Sequence, residues 1–315
     1  MTTITFGTSV TGNRWQGHRF GAGLVRGFEI AAAAGAMGLL VLAATLPDDD
    51  GASARATGAT GPAASYAPGK EATFGAYLGA PYHYPSDFHL KKAGSRDLTI
   101  KDVNWFTKPF ENPLYYGARI QKWGDGGRFG AMVDFVHSKA YAPMKEEKTF
   151  LGTLDGKALP EKARVEQYFD KLEFSHGHNM LTLNGLMRFA SFGRFSPYAG
   201  LGAGISLPHS EIHLLTDPTR TYEYQMTGLN GQALFGIEFR SATGSIFLEY
   251  KFTLADYLSP VTHNDGNWLP MDMARQFKRW WSGTEPPGGW VSTRLTSHQV
   301  VGGFTVRFVP QAIAK

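Results

Sequence analysis

From residue 71 onward, apolar side chains recur at every second position, in short runs broken by glycine-rich or polar turns. In 71–80 (EATFGAYLGA) the alternating residues are Ala72, Phe74, Ala76 and Leu78. Seven further runs follow at 115–123, 128–141, 180–189, 198–207, 229–239, 246–254 and 293–309. A two-residue period places alternate side chains on opposite faces of a strand. One face of the set carries Phe, Leu, Ile, Val and Ala. The other carries Arg119, Asp134, Arg188, Glu238, Glu249, Lys251 and Arg307.

The connections between runs alternate in length. Short turns occupy 124–127 (GDGG), 191–196 (SFGRFS) and 241–244 (SATG), and long segments occupy 81–114, 142–178, 208–224 and 257–292. Short turns on one side and long loops on the other are the signature of outer-membrane barrels. The expectation is an all-β chain: an eight-stranded antiparallel up-and-down transmembrane β-barrel over 71–309 with long extracellular loops. A soluble eight-stranded barrel would need a polar outward face, which these runs lack. Eight strands enclose a lumen just wide enough to be filled by side chains. The charged inner residues are therefore expected to pair with one another, and function is expected at the outer rim and in the loops.

Composition supports this picture. The chain is rich in Gly (38) and aromatics (13%) but only 18% charged, and its mean hydropathy of −0.23 argues against a helical membrane bundle. It has no cysteine, which excludes thiolate metal sites and disulfides. The net charge of +4 comes without a basic run interleaved with aromatics, so nucleic acid is not an expected partner.

Ahead of the barrel, residues 28–46 form an apolar run preceded by Arg14, Arg19 and Arg26. Residues 1–46 therefore read as a signal segment for export to the outer membrane. The rival reading is an uncleaved anchor tethering the barrel to the inner membrane through 28–46. Residues 47–70, rich in Ala, Gly, Ser, Thr and Pro, read as a flexible linker, and 310–315 as a tail.

Candidate chemistry lies near strand ends and in the loops. His209, Glu211 and His213 alternate, so on a strand all three point one way, as do His176 and His178. Asp134 and His137 lie near the top of their strand. Imidazole with carboxylate is a ligand set for a divalent metal such as Fe or Mn. His209, Glu211 and His213 are the candidate metal ligands, and Asp134, His137, His209, Glu211 and His213 the candidate catalytic groups. The competing reading is that these are hydrogen-bonded surface residues. Lys91, Lys92, Arg279, Trp280 and Trp281 suit lipid headgroups and their phosphates, which in an outer leaflet means lipopolysaccharide. A protein partner through the long loops is the other expectation. Ser138 beside His137 and Ser297 beside His298 point to opposite strand faces, which argues against a Ser–His esterase pair.

Several segments resemble a known family. PFENPLYYGARIQKW (109–123), FGAMVDFVHSKAYA (129–142), HGHNMLTLNGLMRF (176–189), FSPYAGLGAGISLPHSEI (195–212) and TYEYQMTG (221–228) are similar to the lipid A oxidase family of rhizobial and related outer membranes. The resemblance covers about 72–309. It implies an outer-membrane enzyme that uses O2 to convert the proximal glucosamine of lipid A to 2-aminogluconate. The alternative is a non-enzymatic structural, lipopolysaccharide-binding or partner-binding barrel.

Overall fold

A computed structural model describes residues 68–308. The expected signal segment (or anchor), most of the linker and the tail lie outside the described residues. Eight antiparallel strands close into a ring: β1 (Glu71–His83), β4 (Tyr116–Trp123), β5 (Phe129–Tyr141), β9 (Phe169–Arg188), β10 (Phe195–Ser206), β13 (Gly228–Arg240), β14 (Gly244–Val261) and β15 (Gly289–Phe308). The ring shuts where β1 pairs with β15, from Ala72 opposite Phe308 to His83 opposite Ser297. Each of the eight expected runs lies on one of these strands. The three short turns close as expected, with Gly127 at a positive φ of 67° in the first of them.

Within the membrane-spanning part, Phe74, Leu78, Ile120, Val133, Leu183, Phe235, Leu248, Val300 and Phe304 are exposed on the outside. The inside is polar, buried and paired. At the lower end Glu71 meets Arg188 at 2.7 Å and Arg240 at 2.9 Å, and Glu238 meets the same two arginines at 3.0 and 2.9 Å. Arg307 also reaches Glu71. In the middle Arg119 bonds Glu249 at 2.8 Å, and Lys251 bonds Asp134.

Two tyrosines complete the middle layer. The Tyr77 hydroxyl donates to Asp134 at 2.7 Å, and that of Tyr198 donates to Glu249 at 2.6 Å. Each ring lies across a glycine. Tyr77 faces Gly117 and Tyr198 faces Gly236 in register. A Cβ on Gly117 would sit 1.9 Å from the Tyr77 ring, and one on Gly236 would sit 2.6 Å from that of Tyr198. Asp134, expected both among the paired inner charges and as a catalytic candidate near the top of its strand, is a lumen residue. It lies three positions from His137, and an odd separation on a strand reverses the face.

The long segments are not irregular loops. They contain β2 (Ser86–Lys92), β3 (Arg96–Val103), β6 (Glu147–Leu154), β7 (Lys157–Ala158), β8 (Lys162–Arg164), β11 (His209–Leu214), β12 (Thr221–Tyr224) and a helix α1 (Leu269–Ser282). β2 adds to the top of β15, then β3 and β6 follow, while β11 adds to the top of β9 and β12 to β11. Above the membrane the inner face of the strands changes chemistry without changing parity. On β15 the inward series runs from Gln299 and Ser297 to Leu295 and Val291, and on β14 from Lys251 and Thr253 to Ala255 and Tyr257. These join Phe88, Leu90, Ile100, Phe150, Phe169, Leu172, Phe174, Ile212 and Leu214 in one apolar core. The molecule thus has a polar-filled barrel below and an apolar-filled extension above.

Pairing in the lumen can be tested by a double-variant cycle. Lys251→Met leaves the Asp134 carboxylate buried and uncompensated, so the barrel should lose about 3–5 kcal/mol against urea unfolding in lipid vesicles. The double variant Asp134→Asn/Lys251→Met should recover most of that loss, and a double variant as unstable as the single would refute the pairing argument.

Candidate functional site

The outward face of the extension carries most of the expected site. On β11, Ile212 and Leu214 turn into the apolar core, so His209, Glu211 and His213 turn outward. β12 lays Tyr224 opposite His209 and Tyr222 opposite Glu211, and β9 lays Glu173 opposite Glu211 on the other side. The His209 ring meets Tyr222 edge-on at 4.3 Å, Tyr224 at 4.6 Å and the His176 ring at 5.3 Å. Below them, His137 continues the lipid-facing series of β5 and stacks on Tyr116 at 4.7 Å. The cluster therefore begins directly above the apolar belt, at headgroup level.

Hydrogen bonds fix the imidazoles in one form. His209 donates from Nε2 to the carbonyl of Gly266 at 3.0 Å, because a carbonyl only accepts. Its Nδ1 is buried and has no partner. His137 donates from Nδ1 to the Asn179 amide oxygen at 2.8 Å, and Asn179 in turn donates to the Leu207 carbonyl at 3.0 Å. The Nε2 of His137 is likewise buried without a partner. Burial lowers the pKa of His209, and nearby His176 lowers it further against the pull of the Gly266 carbonyl. It is a neutral imidazole offering a lone pair.

Glu211 is held by Arg220 at 2.6 Å and by the Ser175 hydroxyl at 3.1 Å. The Arg220 guanidinium lies over the Tyr222 ring at 4.2 Å. Burial and the adjacent Glu211 raise the pKa of Glu173, with Ser175 and Lys171 opposing. His213 stands apart, 3.2 Å from Asp170. The arrangement can accept hydrogen bonds from hydroxyl or ammonium groups at two imidazoles, offer a guanidinium to a phosphate, and stack sugar rings on tyrosine.

The structure thus brings together His137, His209 and Glu211. It sends Asp134 into the lumen and His213 to a separate ion pair. The expected metal set of His209, Glu211 and His213 does not fit a metal: Glu211 and His213 are each engaged elsewhere, and among the described residues no three His, Cys, Asp or Glu side chains are placed to hold an ion. The residues expected at phosphate divide between two places. Lys91 and Lys92 end β2, where Lys91 pairs with Asp97 at 3.1 Å, while Arg279, Trp280 and Trp281 lie on α1. Sequence reasoning missed Glu173, Asn179, Arg220 and the two tyrosines of β12. The alternation of Tyr222 and Tyr224 in TYEY was the available signal.

No family model matches the chain, and no curated protein sequence matches it. Among solved structures it is similar to the outer membrane protein OprG from Pseudomonas aeruginosa, at 11% identity and a TM-score of 0.34 over 77% of this chain and 97% of that one. It is also similar to the outer membrane protein AlkL in lipid bilayers (11%, TM-score 0.33, 85% and 100%) and to Ail, the attachment invasion locus protein of Yersinia pestis (11%, 0.31, 77% and 100%). The closed ring, apolar exterior and filled polar lumen define the class: an outer-membrane β-barrel.

The raised pKa of Glu173 gives a signed pH dependence. A carboxyl whose folded pKa exceeds its unfolded value stabilises the fold at low pH, and that contribution is lost as pH rises through the folded value. Hydrogen-exchange protection of β11, corrected for intrinsic rates, should therefore fall as pH rises above the ordinary glutamate range in the natural protein. Glu173→Gln should flatten that fall, and an unchanged slope would count against Glu173 as its source.

Proposed function

We propose that this outer-membrane barrel binds the headgroup of lipopolysaccharide on the outward face of its extension, at His137, His209, Tyr222, Tyr224 and Arg220. The observation that carries the reading is the position of two buried, unpartnered imidazole nitrogens directly above the lipid-facing belt. A phosphorylated glucosamine headgroup supplies the complementary groups: hydroxyl donors for the imidazoles, a phosphate for Arg220 and a ring face for tyrosine. The lumen is filled by ion pairs, which favours a surface activity over passage through the barrel.

Oxidation of lipid A at the same place is the second reading. It is favoured by the resemblance of the strand segments to lipid A oxidases, and by the single hydrogen bond that orients each of the two imidazoles and leaves its other nitrogen unpartnered. Such an orienting bond also accompanies metal-bound histidines. O2 chemistry needs a metal such as Fe or Mn or an organic cofactor, because ordinary side chains do not activate O2. Among the described residues the side-chain donors do not form a metal set.

Titration of the purified barrel in detergent micelles with a fluorescent lipid A tests the first reading. Arg220→Ala removes one charge-assisted contact of about 1.5–3 kcal/mol, so the Kd should rise about tenfold or more. Dephosphorylated lipid A should bind the natural protein with a similarly raised Kd and be indifferent to Arg220→Ala. An unchanged Kd in both comparisons would sink the proposal. Mass spectrometry of lipid A recovered after incubation in air separates the readings: an unchanged mass fits binding alone, and the gain of one oxygen atom establishes oxidation.

A further inference from the structure

Helix α1 is amphipathic in the reverse sense to an ordinary surface helix. Its buried residues are polar: Asp272 is 1% exposed and Gln276 is 4% exposed. Its exposed residues include Leu269, Met271, Phe277 and Trp281, the last two 61% and 85% exposed. Positions 269, 273, 277 and 280–281 follow the three-to-four-residue spacing of one helix face; this apolar stripe lies beside the Asp272–Gln276 face, half-buried at Met273 and Trp280 and open at Phe277 and Trp281.

The cause lies in what α1 packs against. β12 pairs with β11 along one edge. On its other side, the Tyr224 amide donates to the Asp272 carboxylate at 3.1 Å, and the Met226 amide donates to the Gln276 side chain at 2.8 Å. Gln276 also donates back to the Met226 carbonyl at 2.9 Å. A sheet edge presents backbone polar groups, so the helix that covers it must turn polar side chains inward. The apolar residues are left on the adjoining flank of the helix.

The helix is anchored close above the top of the lipid-facing surface. Met226 precedes Leu229, the uppermost apolar outward residue of β13, by three positions, or about 10 Å along a strand. The apolar stripe of α1 thus lies about 10 Å above the uppermost lipid-facing residue of β13, with Arg275 and Lys278 exposed beside it. A helix with bulky aromatics on one side and cations flanking them matches an interface of acyl chains and phosphates.

We propose that α1 lies in the outer leaflet as an interfacial helix, with Leu269, Phe277 and Trp281 at the boundary of acyl chains and headgroups and Lys278 among the phosphates. Gly266, three residues before the helix, accepts the bond from His209. The membrane-bound helix therefore also holds the segment that roofs the histidine cluster. This inference rests on the barrel's place in a bilayer and is independent of lipid A recognition.

The absence of cysteine from the chain permits single-site labelling. Nitroxide labels at Phe277→Cys and Trp281→Cys would be compared with one at Lys145→Cys, an exposed site in the extension. The protein would be reconstituted in phosphatidylcholine vesicles containing phosphatidylglycerol, with folding confirmed by its heat-modifiable migration on gels. The ratio of oxygen to nickel-chelate accessibility should be several-fold higher at 277 and 281 than at 145. Equal ratios at the three positions would overturn the proposal. So would spin–spin broadening at 277 and 281 that vanishes on dilution with unlabelled protein, since the face would then be covered by a second copy of the chain.

Discussion

The structure depends on the pairing of β1 with β15. In a bilayer no water is present to satisfy backbone N–H and C=O groups, so a sheet crosses only if its two edges meet. Eight strands close on a lumen the width of a few side chains, too narrow for a column of water and too wide to leave empty. The interior must be full, and in this chain it is full of charge. Buried carboxylates and guanidiniums are tolerated there because each meets an opposite charge or a tyrosine hydroxyl. Gly117 and Gly236 belong to the same solution, for without them the Tyr77 and Tyr198 rings could not lie flat across the neighbouring strand.

Above the membrane the same strands meet the opposite requirement. Water now surrounds the outside, so the outward face becomes polar and the inward face apolar. β9 shows the change along one element. Thr182 and Asn184 face the lumen, Leu172 and Phe174 face the upper core, and Glu173 and Ser175 face out. The histidine cluster lies where one regime gives way to the other. Its outward position comes from strand parity, and its burial comes from β12 and the segment before α1.

The barrel was legible in the sequence because a two-residue period and alternating connection lengths are local signals. Strand ends were less legible. Residues 257–261 and 289–292 read as loop because the inward residues there become apolar and the contrast between faces fades. Strand continuation through residues 169–178 was hidden by the irregularity in pairing near Ser138 and Ala140. For the site, parity correctly grouped His209 with Glu211. It could not show that Arg220 would engage that glutamate, because the contact depends on the register of β12 against β11. Parity also put Asp134 in the lumen, where it pairs with Lys251; grouping it with His137 as a catalytic candidate followed from nearness to the strand end, which does not set the face.

The extension also contains a less conspicuous arrangement at its margins. One end of its sheet is β7, two exposed residues long and led by Lys157. The other is β12, closed by backbone bonds from residues 264–266 at Tyr222 and by side chains of a helix beyond it. An open, well-ordered edge standing clear of a crowded cell surface would invite the strands of neighbouring molecules, and fibres grow from such invitations. By finishing one margin almost as soon as it starts and covering the other with backbone, a carboxylate and an amide, the fold exposes a broad sheet above the membrane while leaving little edge for a neighbouring strand to join.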